Sequence, residues 1–117
     1  MEVQAITHNI RMSAQKMREV VRQIQGLPVA HAQATLAVIP RKGARVVAKT
    51  LKSAMANAED LKLHKDAYRD MNTENLRVKS AVAGTATTVK RFTPKARGSA
   101  GPILKRSCHV KIVLSDQ

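Results

Sequence analysis

Near the end of the chain Val110, Ile112 and Leu114 alternate with His109, Lys111 and Val113, and earlier Leu76, Val78, Ser80 and Val82 alternate with Arg77, Lys79 and Ala81. A period of two sends successive side chains to opposite faces, so both stretches read as half-buried strands. Residues 76–84 and 106–114 are expected to pair antiparallel. The amino-terminal run EVQAITHNI alternates less cleanly and is able to add a third strand.

A period near 3.6 governs the stretch between. Ser13 is a good N-cap for AQKMREVVRQIQ, which Gly26 closes as a natural C′ residue. Met17, Val20, Val21 and Ile24 share one face of that helix, and Arg18 and Arg22 point away from it. Pro28 fits the first position of a second, alanine-rich helix, VAHAQATLAVI, and Pro40 ends it. A third helix is expected over roughly 41–61, where Val47, Leu51, Ala54, Ala58 and Leu61 form the dry stripe. Lys42, Arg45, Lys49 and Lys52 form a cationic stripe on the opposite side.

If the two strands pair, residues 85–105 must leave the body and return. A structureless loop of that length is uncommon in a compact domain and is usually functional. The simplest solution continues the strands as a projecting ribbon with its tip near Thr93 to Gly98. At about 3.3 Å per residue such a ribbon reaches on the order of 45 Å from the sheet. The chain thus divides into a body, 1–84 with 106–117, and a hairpin of about 85–105.

Charge changes the picture. The net charge is +13, carried by 21 Lys and Arg against 8 Asp and Glu. Five of the acids (Glu59, Asp60, Asp66, Asp70 and Glu74) cluster in one stretch, which reads as a solvent-facing connector. From Asn75 to Ser115 nine Lys and Arg occur with no acid. An isolated two-stranded ribbon is marginal in water, and one this cationic needs an outside partner to hold it. Nucleic acid is that partner: each cation near a phosphate releases condensed counterions, and Arg adds stacking and bidentate grip.

Other classes fit poorly. No apolar run approaches the eighteen or so residues of a membrane span, and no lipidation or signal-peptide pattern occurs, so a cytoplasmic location and no membrane partner are expected. The single Cys108 excludes an internal disulfide and reads as a small strand residue. His8, His31, His64 and His109 lack metal-ligand spacing, and no glycine-rich phosphate loop follows a strand. No catalysis, metal or cofactor is expected. Two binding classes remain: a structural RNA-binding protein, and an architectural DNA-binding protein with a basic β-ribbon arm and Pro94 as a minor-groove wedge.

Three blocks decide between them by resemblance: SAQKMREVVRQIQG from Ser13, SAMANAE from Ser53, and RFTPKARGSA with ILKRSCHVKIVLSD. Collinear with essentially the whole chain, they resemble the bacterial-type large-subunit ribosomal protein L-twenty-two family. In the third block Arg91, Pro94, Lys95, Arg97, Gly98, Lys105, Arg106 and His109 all fall at the family's spacing.

The resemblance implies an α+β domain, three helices packed on a small antiparallel sheet, with a long protruding β-hairpin. It implies a structural constituent of the large ribosomal subunit that binds large-subunit ribosomal RNA and neighbouring ribosomal proteins, aids assembly, and lines the polypeptide exit tunnel with its hairpin. It further implies a cytoplasmic, bacterial or organelle-encoded monomer within the ribosome. Carried over by position, RNA contacts fall on Arg11, Ser13, Lys16, Arg18 and Arg22, on Lys42, and on Arg77 and Lys79. Further contacts fall on Lys90, Arg91, Lys95, Arg97 and Gly98, and on Lys105, Arg106, His109 and Lys111 of the return strand. The tunnel-facing tip, near the nascent polypeptide, comprises Lys90, Arg91, Phe92, Thr93, Pro94, Lys95, Ala96 and Arg97. Two departures stand out: AGTATT at Ala83 to Thr88 replaces the family's acidic residue and Gly-Pro pair, and the connector LKLHKDAYRDMNTEN is longer than usual.

Overall fold

A computed structural model describes residues 1–116. Its elements in chain order are β1 (Glu2–Ile10), α1 (Ala14–Val21), α2 (Val29–Val38), α3 (Lys42–His64), β2 (Arg77–Thr85), β3 (Val89–Pro94), β4 (Ala100–Lys105) and β5 (Cys108–Ser115). Short 3-10 turns occupy Asp66–Tyr68 and Ala96–Gly98. The fold is α+β. Three helices pack on an antiparallel sheet of order β1-β5-β2, and β3 and β4 form a separate two-stranded ribbon.

The last strand in sequence is therefore the central one. On β5, Cys108, Val110, Ile112 and Leu114 are buried, as the alternation predicts. β1 proves to be a full strand, contributing Val3, Ala5 and Ile10 to the same inner face. Met17, Val20, Val21 and Ile24 from the first helical segment and Val47, Leu51, Ala54 and Ala58 from α3 close the core over it. The side chains in this core are aliphatic or Met, with Cys108 alongside, so helices and sheet approach closely.

The structure departs from the expectations in several places, each for a physical reason. Residues 77–85, not 76–84, pair with 108–115, in a register running from Arg77 opposite Ser115 to Thr85 opposite Cys108. Within β2 the register shifts between Val78 and Ser80, so Lys79 and Ser80 together oppose one position of β5. Such a bulge inverts the alternation beyond it. Ala81 and Ala83 point inward, and Val82, expected inside, stands 50 % exposed.

The first α-helix ends at Val21, short of the predicted Gln25. Bonds one residue shorter continue the chain, Gln23 N–H to Val20 C=O and Ile24 N–H to Val21 C=O. This tighter path delivers the segment onto the edge of β2. There the Gly26 N–H donates to Val78 C=O at 2.8 Å, and the Val78 N–H to Leu27 C=O at 2.9 Å. Gly26 has φ of +78°, which a side-chain-bearing residue adopts only under strain. Pro28 caps α2 and bridges to Arg77 instead of forming its first turn. α3 runs three residues past the expected Leu61, into the stretch read as connector. That stretch is not wholly solvent-facing, because Met71 is 1 % exposed and Tyr68 packs partly against the core.

Candidate nucleic-acid interface

The ribbon is continuous with the sheet. Beyond Thr85–Cys108 the Ala86 N–H donates to Ser107 C=O at 3.0 Å, and the β3–β4 ladder begins at Val89 opposite Lys105. The AGTATT departure thus occupies the end of β2 and the joint between sheet and ribbon. The ladder runs to Pro94 opposite Ala100. At the tip the Lys95 N–H donates to Ser99 C=O at 2.6 Å, and Arg97 and Gly98 both adopt left-handed backbone, φ 59° and 74°. Thr93 is half-buried, and Phe92, Pro94, Lys95, Ala96 and Arg97 are exposed. Gly101 has a different role from Gly98. A Cβ there would lie 2.5 Å from Lys95 Cε, so the lysine stem lies directly against the bare backbone of β4.

The whole molecule measures 67 × 28 × 16 Å, with a radius of gyration of 17.8 Å. A compact chain of this length has about 13 Å. The excess is the arm. Lys90, Arg91, Lys95, Arg97, Lys105 and Arg106 are all exposed along it, and among the described residues none forms an ion pair. The Arg91 guanidinium donates to the neighbouring Lys90 C=O.

A second group of cations converges where the ribbon meets the body. Arg11 Nη1 reaches toward the Arg106 carbonyl at 3.4 Å, and Lys42 Nζ donates to the Arg11 carbonyl at 3.2 Å. Arg18 Nε donates to Ala83 C=O at 3.1 Å, which caps the edge of β2 and fixes the guanidinium. A cleft of about 370 Å³ opens beside them, lined by Ser13, Gln15, Arg18, Thr85, Thr88, Arg106 and Ser107 among others. Sequence reasoning missed Gln15, Thr85, Thr88 and Ser107. They come from three separate segments: strand pairing brings Thr85 and Thr88 to Ser107, and the packing of α1 on β2 brings Gln15 to them. Ser13 belongs to the helix as much as to the cleft, since its Oγ accepts the Lys16 N–H as the N-cap.

The remaining site residues are spread more widely. Lys16, Arg22, Lys42 and Arg77 are exposed, as is the rest of the α3 stripe, Arg45, Lys49 and Lys52. Lys79 is engaged within the chain by Glu2, and this pairing holds the Glu2 carboxyl below its usual range. Lys111 is exposed on the outer sheet face, where the register sets it between Ile6 and Val82. His109 is half-buried. Its Nδ1 accepts the Asn9 N–H at 3.0 Å, which assigns the neutral ring's proton to Nε2, and the ring meets His8 edge-on at 5.0 Å.

Elsewhere the chemistry is quiet. Burial pushes the Cys108 thiol up, away from the reactive thiolate. Among the described residues no three His, Cys, Asp or Glu gather where a metal could be held, and no helix is long and apolar enough to cross a membrane.

The pattern common to the family described as Ribosomal protein L22p/L17e matches residues 5–115. A protein of Opitutus terrae named "Large ribosomal subunit protein uL22" is 47% identical over 99% of this chain and 96% of its own length. Proteins of the same name from Akkermansia muciniphila and Chloroflexus aggregans are each 44% identical over 100% of this chain, and over 98% and 97% of their own lengths.

Proposed function

Because the chain belongs to the ribosomal protein L22p/L17e family, we propose that it binds large-subunit ribosomal RNA, helps assemble the subunit, and lines the polypeptide exit tunnel with the β3–β4 ribbon. Membership makes it a structural constituent of the large ribosomal subunit, with no catalytic role. It acts there as a monomer in a single RNA-binding domain, within the cytoplasm.

One observation carries the RNA reading: the ribbon has six exposed cations and no acid along it. A two-stranded hairpin whose apolar side chains are left exposed is marginal in water by itself, so the energy that orders it comes from outside. Phosphate neutralisation supplies it. Arg91, Lys95 and Arg97 grip RNA near the tip, close to the nascent polypeptide, while Arg11, Arg18, Lys42 and Arg106 anchor the foot. Lys16 and Arg22 extend the contact along α1, and Arg77 and Lys111 along the sheet. Gly98, with its left-handed backbone, lets the tip turn. Lys79 and His109 lie at the rim and have intramolecular partners, so they orient the surface as much as they touch RNA.

The test replaces Arg91, Lys95 and Arg97 with Ala in the full chain and measures binding to large-subunit RNA across salt concentrations. The variant is expected to stay folded, bind more weakly, and lose about one unit of log–log salt slope per phosphate contact removed. An unchanged slope eliminates the ribbon as an RNA contact. Light scattering checks the oligomeric state, and a stable homodimer would favour the DNA-arm reading.

A further inference from the structure

Phe92 is the chain's single phenylalanine, yet it stands 74 % exposed on the ribbon. Val, Ile, Leu and Met fill the core, and the bulkiest apolar ring is left in water, which forgoes the large gain that aromatic burial offers. No internal packing accounts for its place.

The ladder shows what surrounds it. Lys90 lies opposite Leu104, Phe92 opposite Pro102, and Pro94 opposite Ala100. Directly opposed residues share a face, and alternate residues along a strand share it too. These six therefore form one side of the ribbon, apolar apart from Lys90, and all of them are exposed. The reverse side carries Arg91 and Lys105, opposite Ile103 and Val89. The ribbon is two-sided: mostly ring and aliphatic carbon on one face, cations with aliphatic neighbours on the other.

We infer that Phe92, flanked by Pro94 and Pro102, is a stacking platform for an unpaired base of the RNA that the ribbon's cations hold. This rests on the RNA reading above and names the contact within it. An apolar peptide would cover the ring but bring no negative charge to the lysines and arginines around it. A single-stranded nucleotide answers both needs: its base presents a flat π-face to the phenyl ring, and its phosphate lies within range of Lys90 on the same side. Paired bases in an A-form helix do not expose such a face, so the partner is a splayed or looped nucleotide.

The test uses the full chain and deproteinised large-subunit RNA. The chain has no tryptophan, so the indole introduced by Phe92→Trp reports on this position alone. Its emission is expected to be quenched in step with binding, as stacking on a base requires. Phe92→Ala should weaken binding about ten-fold at fixed salt with the salt slope unchanged, and Phe92→Tyr should restore it. The platform is overturned if binding persists but the indole emission shifts to the blue without quenching, or if Phe92→Ala binds like the parent. Failure of the parent chain to bind RNA with any salt dependence would instead overturn the RNA reading itself, a result visible before any variant is made.

Discussion

Thr50 is 1 % exposed in the middle of α3, where a hydroxyl is a liability unless both of its roles are filled. Its Oγ1 reaches Val46 C=O at 2.9 Å and Thr7 Oγ1 at 2.6 Å. A carbonyl can only accept, so Thr50 donates to Val46 and Thr7 donates to Thr50. The pair ties the longest helix to β1. Thr50→Val strands the Thr7 hydroxyl and should cost about 1–2 kcal/mol, read as a lower urea midpoint with the slope unchanged. Adding Thr7→Val should return much of that loss, because removing both partners of a buried bond is nearly neutral. Full additivity in that cycle would mean that the two hydroxyls do not interact. Nothing in the sequence pairs positions 7 and 50. Each is an unremarkable polar residue in its own element, and only the seating of α3 on β1 brings them together.

The elements themselves were more legible, because each rests on a local period. Met17, Val20, Val21 and Ile24 face the core, as do Val110, Ile112 and Leu114, since burial of one face is all that those repeats encode. The ribbon could be inferred too, because residues 85–105 follow a strand, precede its partner, and lack an apolar face broad enough to form a core of their own. What failed was register. One extra residue in β2 turned Val82 outward, and a bulge leaves no mark on a binary pattern read from one strand alone. The inversion predicts unequal outcomes at adjacent positions. Val82→Lys should change stability by less than about 0.5 kcal/mol, as for an open surface site. Ala81→Lys buries an unpaired charge at a fully enclosed position and should abolish the cooperative thermal transition. The opposite ranking in a melting experiment would restore the unbroken alternation. Met71 escaped for a related reason: the few apolar residues of that acidic loop follow no regular period that would reveal its burial.

At the scale of the whole molecule, a body with a shared core carries an arm with none. The two should respond differently to a protease. Trypsin needs Lys or Arg on backbone that opens easily, and the ribbon supplies six such sites while packing little of itself away. Limited digestion of the free protein is expected to cut between Lys90 and Arg106 first. The fragments should remain associated under native conditions, because β2 and β5 stay paired at Thr85–Cys108 and beyond. Large-subunit RNA should slow that cleavage if the proposed interface is correct. Early cuts in α3, with its equally basic stripe, would mean that the body is the weaker part. Charge placement follows the same division. Glu2, Glu19 and Asp66 all face cations of the body, and Asp116 pairs with the amino terminus, whereas the arm keeps its charge uncompensated for a partner.

The position of β5 between β1 and β2 has a consequence for how the molecule comes into being. Synthesis proceeds from the amino end, so β1, the helices and β2 all emerge before the one strand that gives both outer strands their neighbour. Until residues 108–115 appear, those two strands have bare edges and the helices cover a gap. Completion of the fold is thereby tied to the arrival of β5, and a nascent copy has the arm in hand before it has a closed body to hold it.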